Sequence, residues 1–259
     1  MKRDYALDGE FASAIARGIV ATPKWYRPKI DADAIKQLRK KTDLIPLRDT
    51  ALWLGMMFLS GAIAIWLWPS WWSAPFWFVY GVLYGSASDS RWHECGHKTA
   101  FKTAWMNSVV YHLASFMLIR NPVVWRASHV RHHTDTIIVG RDPEIVAMRP
   151  PDLFRIGLNL FGIVDTWSLV KSMFLHARGR LAPNETAYVN KADYGGVFLI
   201  ARIWLVIYAA TVALALWMGS ILPLMIIGLP RLYGAWHHVM TGLWQHFWLA
   251  DATGRRIRL

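Results

Sequence analysis

The run Ala51-Leu-Trp-Leu-Gly-Met-Met-Phe-Leu-Ser-Gly-Ala-Ile-Ala-Ile-Trp-Leu-Trp68 decides how the rest of the chain is read. It has 18 residues and no charge. An α-helix needs roughly 20 apolar residues to cross a hydrocarbon core about 30 Å thick. Pro69 and Ser70 punctuate the run, and a second apolar run follows from Trp71 to Ser88. A third extends from Val197 to Met218, with Arg202 near its start. A fourth extends from Ser220 to about Gln245, interrupted by Pro230 and Arg231. Very short turns join the first run to the second and the third to the fourth. The expected architecture is therefore an all-α integral membrane protein. It has four transmembrane helices arranged as two hairpins, with cytosolic or interfacial helices between them.

Composition agrees. Of the 259 residues, 54% are hydrophobic and 16 are Trp, the residue that collects at bilayer interfaces. So much apolar surface excludes intrinsic disorder. Cys95 is the only cysteine, which excludes a disulfide framework. A net charge of +12 suggests nucleic acid in a polar chain. In one this apolar it points to the cytosolic face of a membrane protein instead. Residues 1–30 mix Asp4, Asp8 and Glu10 with Lys and Arg and contain no apolar core, so no cleavable signal is expected.

Lys and Arg orient the spans. Segment 1–50 carries 11 of the 29, and segment 88–196 carries 13. Arg255, Arg256 and Arg258 lie at the C-terminus, and the turns at 69–70 and 219 carry none. Both termini and the long middle segment are thus expected in the cytosol. Within the middle segment, Trp105 to Ile119 is short for a span and reads as a buried or interfacial helix. Pro150-Pro151 breaks the chain. Leu153, Ile156, Leu160, Ile163 and Val164 then recur at helical spacing, which predicts a helix lying on the membrane surface over 152–177. Residues 178–195 read as loop. His176, beside Arg178 and Arg180, reads as a solvated basic end.

The chemistry lies in the histidines. His93-Glu94-Cys95-Gly96-His97 follows the second apolar run, and His129-Val130-Arg131-His132-His133 comes later in the same cytosolic segment. His246 ends the fourth run. The charge argument brings all three to one membrane face. On a helix, His93 and His97 are i and i+4, so both rings point one way and can share an ion. His129 faces the same way as His132 and His133. Those two diverge by about 100° around the axis, so one can serve one metal and the other a neighbour. The pattern suggests a two-metal site built from imidazoles, which suit Fe, Zn, Cu or Ni. His112 reads as a hydrogen-bonded helix residue, with a role at or behind the ligands as the alternative. Asp89, four residues before His93, either orients that ring or caps a helix end. Cys95 reads as a small spacer. Arg231 in a span requires a cavity or a partner.

These residues resemble the membrane fatty acid desaturase family, which also contains alkane hydroxylases. The phrase Gly85-Ser-Ala-Ser-Asp-Ser-Arg-Trp-His-Glu-Cys-Gly-His97 looks like the family's first histidine box, and His129-Val-Arg-His-His133 looks like the second. Gly140-Arg-Asp-Pro-Glu144 looks like bacterial members, and Gln245-His246 looks like an isolated ligand histidine. The resemblance covers most of the chain and treats 1–259 as a single desaturase-like domain, with residues 1–50 as a cytosolic N-terminal segment. It implies two non-haem irons, dioxygen and electrons from a separate redox protein such as a ferredoxin, rubredoxin or cytochrome. It also implies a membrane lipid or acyl substrate and no nucleic acid. The ligand set it implies is His93, His97, His129, His132, His133 and His246. The family's third box, another HxxHH, does not occur after residue 133. The expectation is that the C-terminal part of the family domain is missing. His237 and His238 precede His246 by roughly 12–13 Å of helix and are distant substitutes.

Other readings remain. A hydroxylase would use the same ligands, and a truncated member could keep a partial metal site without turnover. His93-Glu94-Cys95-Gly96-His97 also fits the HExxH zinc motif of an intramembrane metalloprotease. That reading leaves His129–His133 and His246 unexplained. It also needs a later Asp ligand, whereas Leu7-Asp8-Gly9 precedes the box. Arg91, Lys98, Lys102 and Arg131 either meet an acidic donor or a lipid head group, or express positive-inside topology.

Overall fold

A computed structural model describes residues 29–136, 141–144 and 152–246, with the side chains of all but 86–89 and 242–246. Asp89 and His246 therefore lie outside the described side chains. Every regular element among the described residues is helical. Helix α1 (Ala32–Leu38) is short, and α2 (Leu44–Trp66) carries the apolar run that opens the sequence. A tight turn at Trp71–Ser73 leads into α3 (Ala74–Val82). The helix widens over Leu83–Ala87 to i→i+5 winding and continues as α4 (Ser88–Gly96). The next pair is α5 (Ala104–Met117) and α6 (Pro122–Asp135). Then come α7 (Leu153–Leu160), α8 (Ile163–Ala177) and α9 (Tyr194–Met218). The last run comprises α10 (Leu222–Ile226), α11 (Pro230–Tyr233) and α12 (Ala235–His246).

By length and composition, two helical stretches can cross a membrane: Leu44–Trp66 and Lys191–Met218. A third is possible if α7 and α8, bent by 76° at their junction, count as one broken span. The second and fourth apolar runs do not form single long helices. The second changes winding at Leu83–Ala87. The fourth breaks at Gly228, where φ is +98°, and again around Pro230 and Gly234. Pro230 has no N–H to continue a helical ladder. Within this broken run, Tyr233 Oη donates to the Met225 carbonyl at 2.8 Å, while Tyr80 Oη of α3 donates to the Ile226 carbonyl at 3.0 Å.

The main core joins α2, α3, α4, α5 and α6 through Trp53, Met57, Trp77, Tyr80, Trp92, Tyr111 and Trp125. Trp53 Nε1 donates to the Leu83 carbonyl at 2.8 Å, in the widened turn. A second cluster packs Met173 of α8 against Ala201 and Trp204 of α9. The segment expected on the membrane surface thus divides at Gly162, and its second half packs against a candidate span. Gly162 has φ +62°, and a Cβ there would lie 2.8 Å from the Arg231 carbonyl oxygen. Both facts call for glycine at the bend.

Arg231 is 1% exposed and finds the partner its position requires. Its Nη2 lies 2.9 Å from Asp165 Oδ2 at the start of α8, and its Nη1 donates to the Gly85 carbonyl at 3.4 Å. Arg120 adds a second contact to Asp165 at 3.3 Å. The two guanidiniums hold the Asp165 carboxyl below its ordinary range against the opposing effect of burial. The sequence reading of His176 as a solvated basic end is wrong. Its ring is 2% exposed, and its Nε2 lies 2.6 Å from Glu185 Oε2. Glu185 sits in a tight turn at Pro183–Ala187, inside the stretch expected to be plain loop, and folds back over α8.

Candidate metal centre

The site is built by two helix ends. α4 delivers His93 and, one residue past its last turn, His97. The helix can approach α6 closely because residue 96 is glycine: a Cβ there would sit 2.4 Å from the Trp125 ring. α6 is started by Asn121, whose side chain accepts from the N–H groups of Val123 and Val124, with Pro122 in the first turn. Its register then puts Trp125 and His129 on the face toward α4. Trp125 stacks on His129 with ring centroids 4.2 Å apart, and Trp92 of α4 packs against Trp125 from the other side. The histidines thus rest on a wall of aromatic rings.

Four imidazoles converge. His129 Nε2 lies 2.9 Å from His93 Nε2, 3.0 Å from His97 Nε2 and 3.0 Å from His133 Nε2. His97 Nε2 is 3.1 Å from both His93 Nε2 and His133 Nε2. All four ligand atoms lie within 4.8 Å of one another. A tetrahedral ion with metal–nitrogen bonds of roughly 2.0–2.1 Å separates its ligands by about 3.3–3.4 Å. Five of the six nitrogen pairs, at 2.9–3.1 Å, fall within about half an ångström of that spacing. The cluster is compatible with a metal ion.

Electrostatics favour the ligating form. Burial, with the neighbouring His129, His93 and His133, pushes the His97 imidazolium down to a pKa of about 4. His133 is lowered too, by burial first and then by the neighbouring His129 and His132. Neutral rings are the state that binds metal. His129 Nδ1 faces Glu144 Oε2 at 2.9 Å. That contact and Ser128 keep the Glu144 carboxyl below its usual range, outweighing its burial.

His132 is placed differently. It is outside the four-nitrogen group, and its Nδ1 lies 2.9 Å from Asp142 Oδ2. That contact raises its pKa against the effect of burial. His112 lies on α5 beside Tyr111 and is not in the group. His238 lies near Asp165, whose ionised form it favours, and is not in the group either. Glu94 pairs with Arg91 at 3.3 Å, and Arg131 pairs with Asp135 at 3.1 Å. Arg131 is therefore engaged internally. Asp142 and Glu144 were quoted in the sequence as part of a family-like phrase but given no role. The available signal was two carboxylates flanking a proline shortly after a histidine pair.

A fatty acid desaturase family model matches residues 69–258. The chain belongs to the fatty acid desaturase family. It is 26% identical over 215 residues to a probable fatty acid desaturase of Sorghum bicolor, covering 77% of this chain and 53% of that protein. It is 28% identical over 108 residues to an sn-1 oleoyl-lipid 12-desaturase of Synechocystis, covering 40% of this chain and 30% of the relative. A ferredoxin-dependent sn-2 acyl-lipid omega-3 desaturase of Helianthus annuus chloroplasts is 36% identical over 93 residues, covering 34% of this chain and 18% of the relative. The matches thus span about half of the first relative's length and less of the other two. No solved structure matches the chain.

Proposed function

We propose that this chain is a membrane-bound, oxygen-dependent acyl-lipid desaturase with a histidine-ligated di-iron centre. The observation that carries the reading is the convergence of His93, His97, His129 and His133 in a chain of this family. These four would hold one iron, and His132 and His246 would contribute to the second. Bound non-haem iron supplies the activation of dioxygen that removes hydrogen from an unactivated CH₂, chemistry no ordinary side chain provides. The protein's own residues hold the metal, exclude water and place the chain. Ferredoxin dependence in relatives supports a ferredoxin-like electron donor.

An apolar cavity of 570 Å³ between α8, α9, α10 and α11 supports an acyl substrate. Its walls include Met173, Phe174, Tyr208 and Leu224. It shares Ile119 and Met173 with a polar cavity of 300 Å³ that Trp125, Ser128 and Glu144 also line, next to the histidines. The topology belongs to the same proposal: four spans in two hairpins, with the termini and the metal centre on the cytosolic side. The 24 Lys and Arg in segments 1–50 and 88–196 (11 and 13) support that sidedness.

The test uses the full chain in lipid nanodiscs, loaded with Fe²⁺ and supplied with ferredoxin, its reductase, NADPH and oxygen. An oleoyl lipid is the substrate, and products are read by mass spectrometry. A new double bond that His97→Ala abolishes supports the reading. A hydroxylated acyl chain would assign the other activity of the same fold. Iron-loaded protein giving no oxidised product would overturn the desaturase reading.

A further inference from the structure

The loop after α6 sets two carboxylates against two of that helix's histidines. Just before the two acids, Arg141 Nη2 lies 2.9 Å from Asp135 Oδ1. Pro143 restricts the backbone between the two acids. The Glu144 N–H donates to Asp142 Oδ1 at 2.9 Å, which ties them together. Asp142 is 2% exposed and faces His132 Nδ1. The oxygens of Glu144 are divided. Oε1 accepts from Ser128 Oγ at 2.8 Å, and Oε2 takes His129 Nδ1 at 2.9 Å.

This division has a chemical consequence. A neutral imidazole carries one N–H, and an ionised carboxylate only accepts. Glu144 therefore keeps the proton on Nδ1 and leaves a lone pair on Nε2. Nε2 of His129 is the nitrogen that meets all three other imidazoles of the cluster. The ring is also pinned from the side by its stack on Trp125. The Trp125 stack holds one face of the ring and Glu144 holds its Nδ1 edge.

We propose that Arg141–Glu144 is a carboxylate clip, in which Glu144 sets the tautomer and angle of His129 and so sets how tightly the four-imidazole cluster holds a metal ion. The proposal rests on reading the cluster as a metal centre. Glu144 acts through His129 and is a positioning residue. A glutamine of the same shape offers an amide that can also donate to Nδ1, which moves the ring's proton to Nε2 and removes the lone pair the ion needs.

Co²⁺ titration of the metal-free full chain in detergent, followed by visible absorption, tests this without turnover. Glu144→Gln should weaken Co²⁺ binding by about 10–100-fold and alter the absorption bands. Ser128→Ala, which removes only the support of Oε1, should weaken binding severalfold. Glu185→Gln makes the same isosteric change at a buried histidine–carboxylate pair that touches none of the four rings, and should bind as the unaltered protein does. Melting curves compare the folding of all variants. Glu144→Gln binding within twofold of the unaltered protein would overturn the clip and leave the metal-centre reading standing. Equal losses in Glu144→Gln and Glu185→Gln would also overturn it, because general loosening would then explain both. Failure of the unaltered chain to bind Co²⁺ or Fe²⁺ at all would sink the metal-centre reading, and the clip with it.

Discussion

Two of the histidine–carboxylate pairs among the described residues have opposite outcomes. His176 meets Glu185 at 2.6 Å through Nε2. His129 meets Glu144 at 2.9 Å through Nδ1. The first pair closes on itself: Glu185 Oε2 also accepts the Ala182 N–H at 2.7 Å, and the contact fastens a turn to α8. The second leaves Nε2 free to face His93, His97 and His133. The difference teaches that a carboxylate beside a histidine does not make a metal site. What makes one is the ring nitrogen left over and the company it keeps.

The largest expected effect separates the two pairs outright. His129→Ala removes the nitrogen shared by the other three rings and should abolish stoichiometric Fe²⁺ binding, measured by elemental analysis after desalting. His176→Ala should leave iron content unchanged. Iron retained in His129→Ala would break the comparison.

Stability should show the reverse pattern. Glu185→Ala leaves the buried His176 Nε2 and the Ala182 N–H without their acceptor, at about 1–3 kcal/mol. A lowered melting temperature in detergent with normal metal content is the expected result. Asp165→Asn tests the partly exposed carboxylate that pairs with buried Arg231. It weakens the charged contacts of Arg231 and Arg120 and should destabilise by about 1 kcal/mol, because solvent screens the partly exposed carboxylate, without changing metal affinity. A melting temperature equal to that of the unaltered protein would mean that Arg231 is satisfied some other way.

The smallest effect is in pH. The folded chain resists protonation of His97 down to about 4, whereas the unfolded chain takes up that proton near 6.5. A group whose folded pKa is depressed in this way destabilises the fold as pH falls through that window. Metal-free protein should therefore melt progressively lower between about pH 6.5 and 4, and His97→Ala should flatten that part of the curve. An unchanged slope would show that the fold does not depress the His97 pKa.

Much of this was legible before any coordinates. Hydrophobic run length identified α2 and α9, because the burial requirement of a bilayer is one-dimensional and can be read along the chain. The i, i+4 spacings in 93–97 and 129–133 marked the four imidazoles that converge, because helical periodicity decides which rings share a face. Composition set the all-helical membrane class. Arg231 and His176 were visible too, but their partners were not. Asp165 and Glu185 come from other turns of the chain, and nothing in local periodicity pairs them.

Only the tertiary structure decided the remainder. It broke the fourth apolar run into three helices, with Gly228 beside Tyr208 of α9, and with Pro230 and Gly234 packed closely on Gly81 of α3 and Gly85 of the widened turn. It turned His132 toward Asp142 while His133 joined the cluster, although the two are neighbours in sequence. A helix sets the angle between adjacent rings, but which ring meets α4 depends on how α6 is rotated against it. That rotation is fixed by Trp125 packing over Gly96. Residue identity and spacing thus determine which groups can bind a metal, and the packing of one helix on another determines which of them meet.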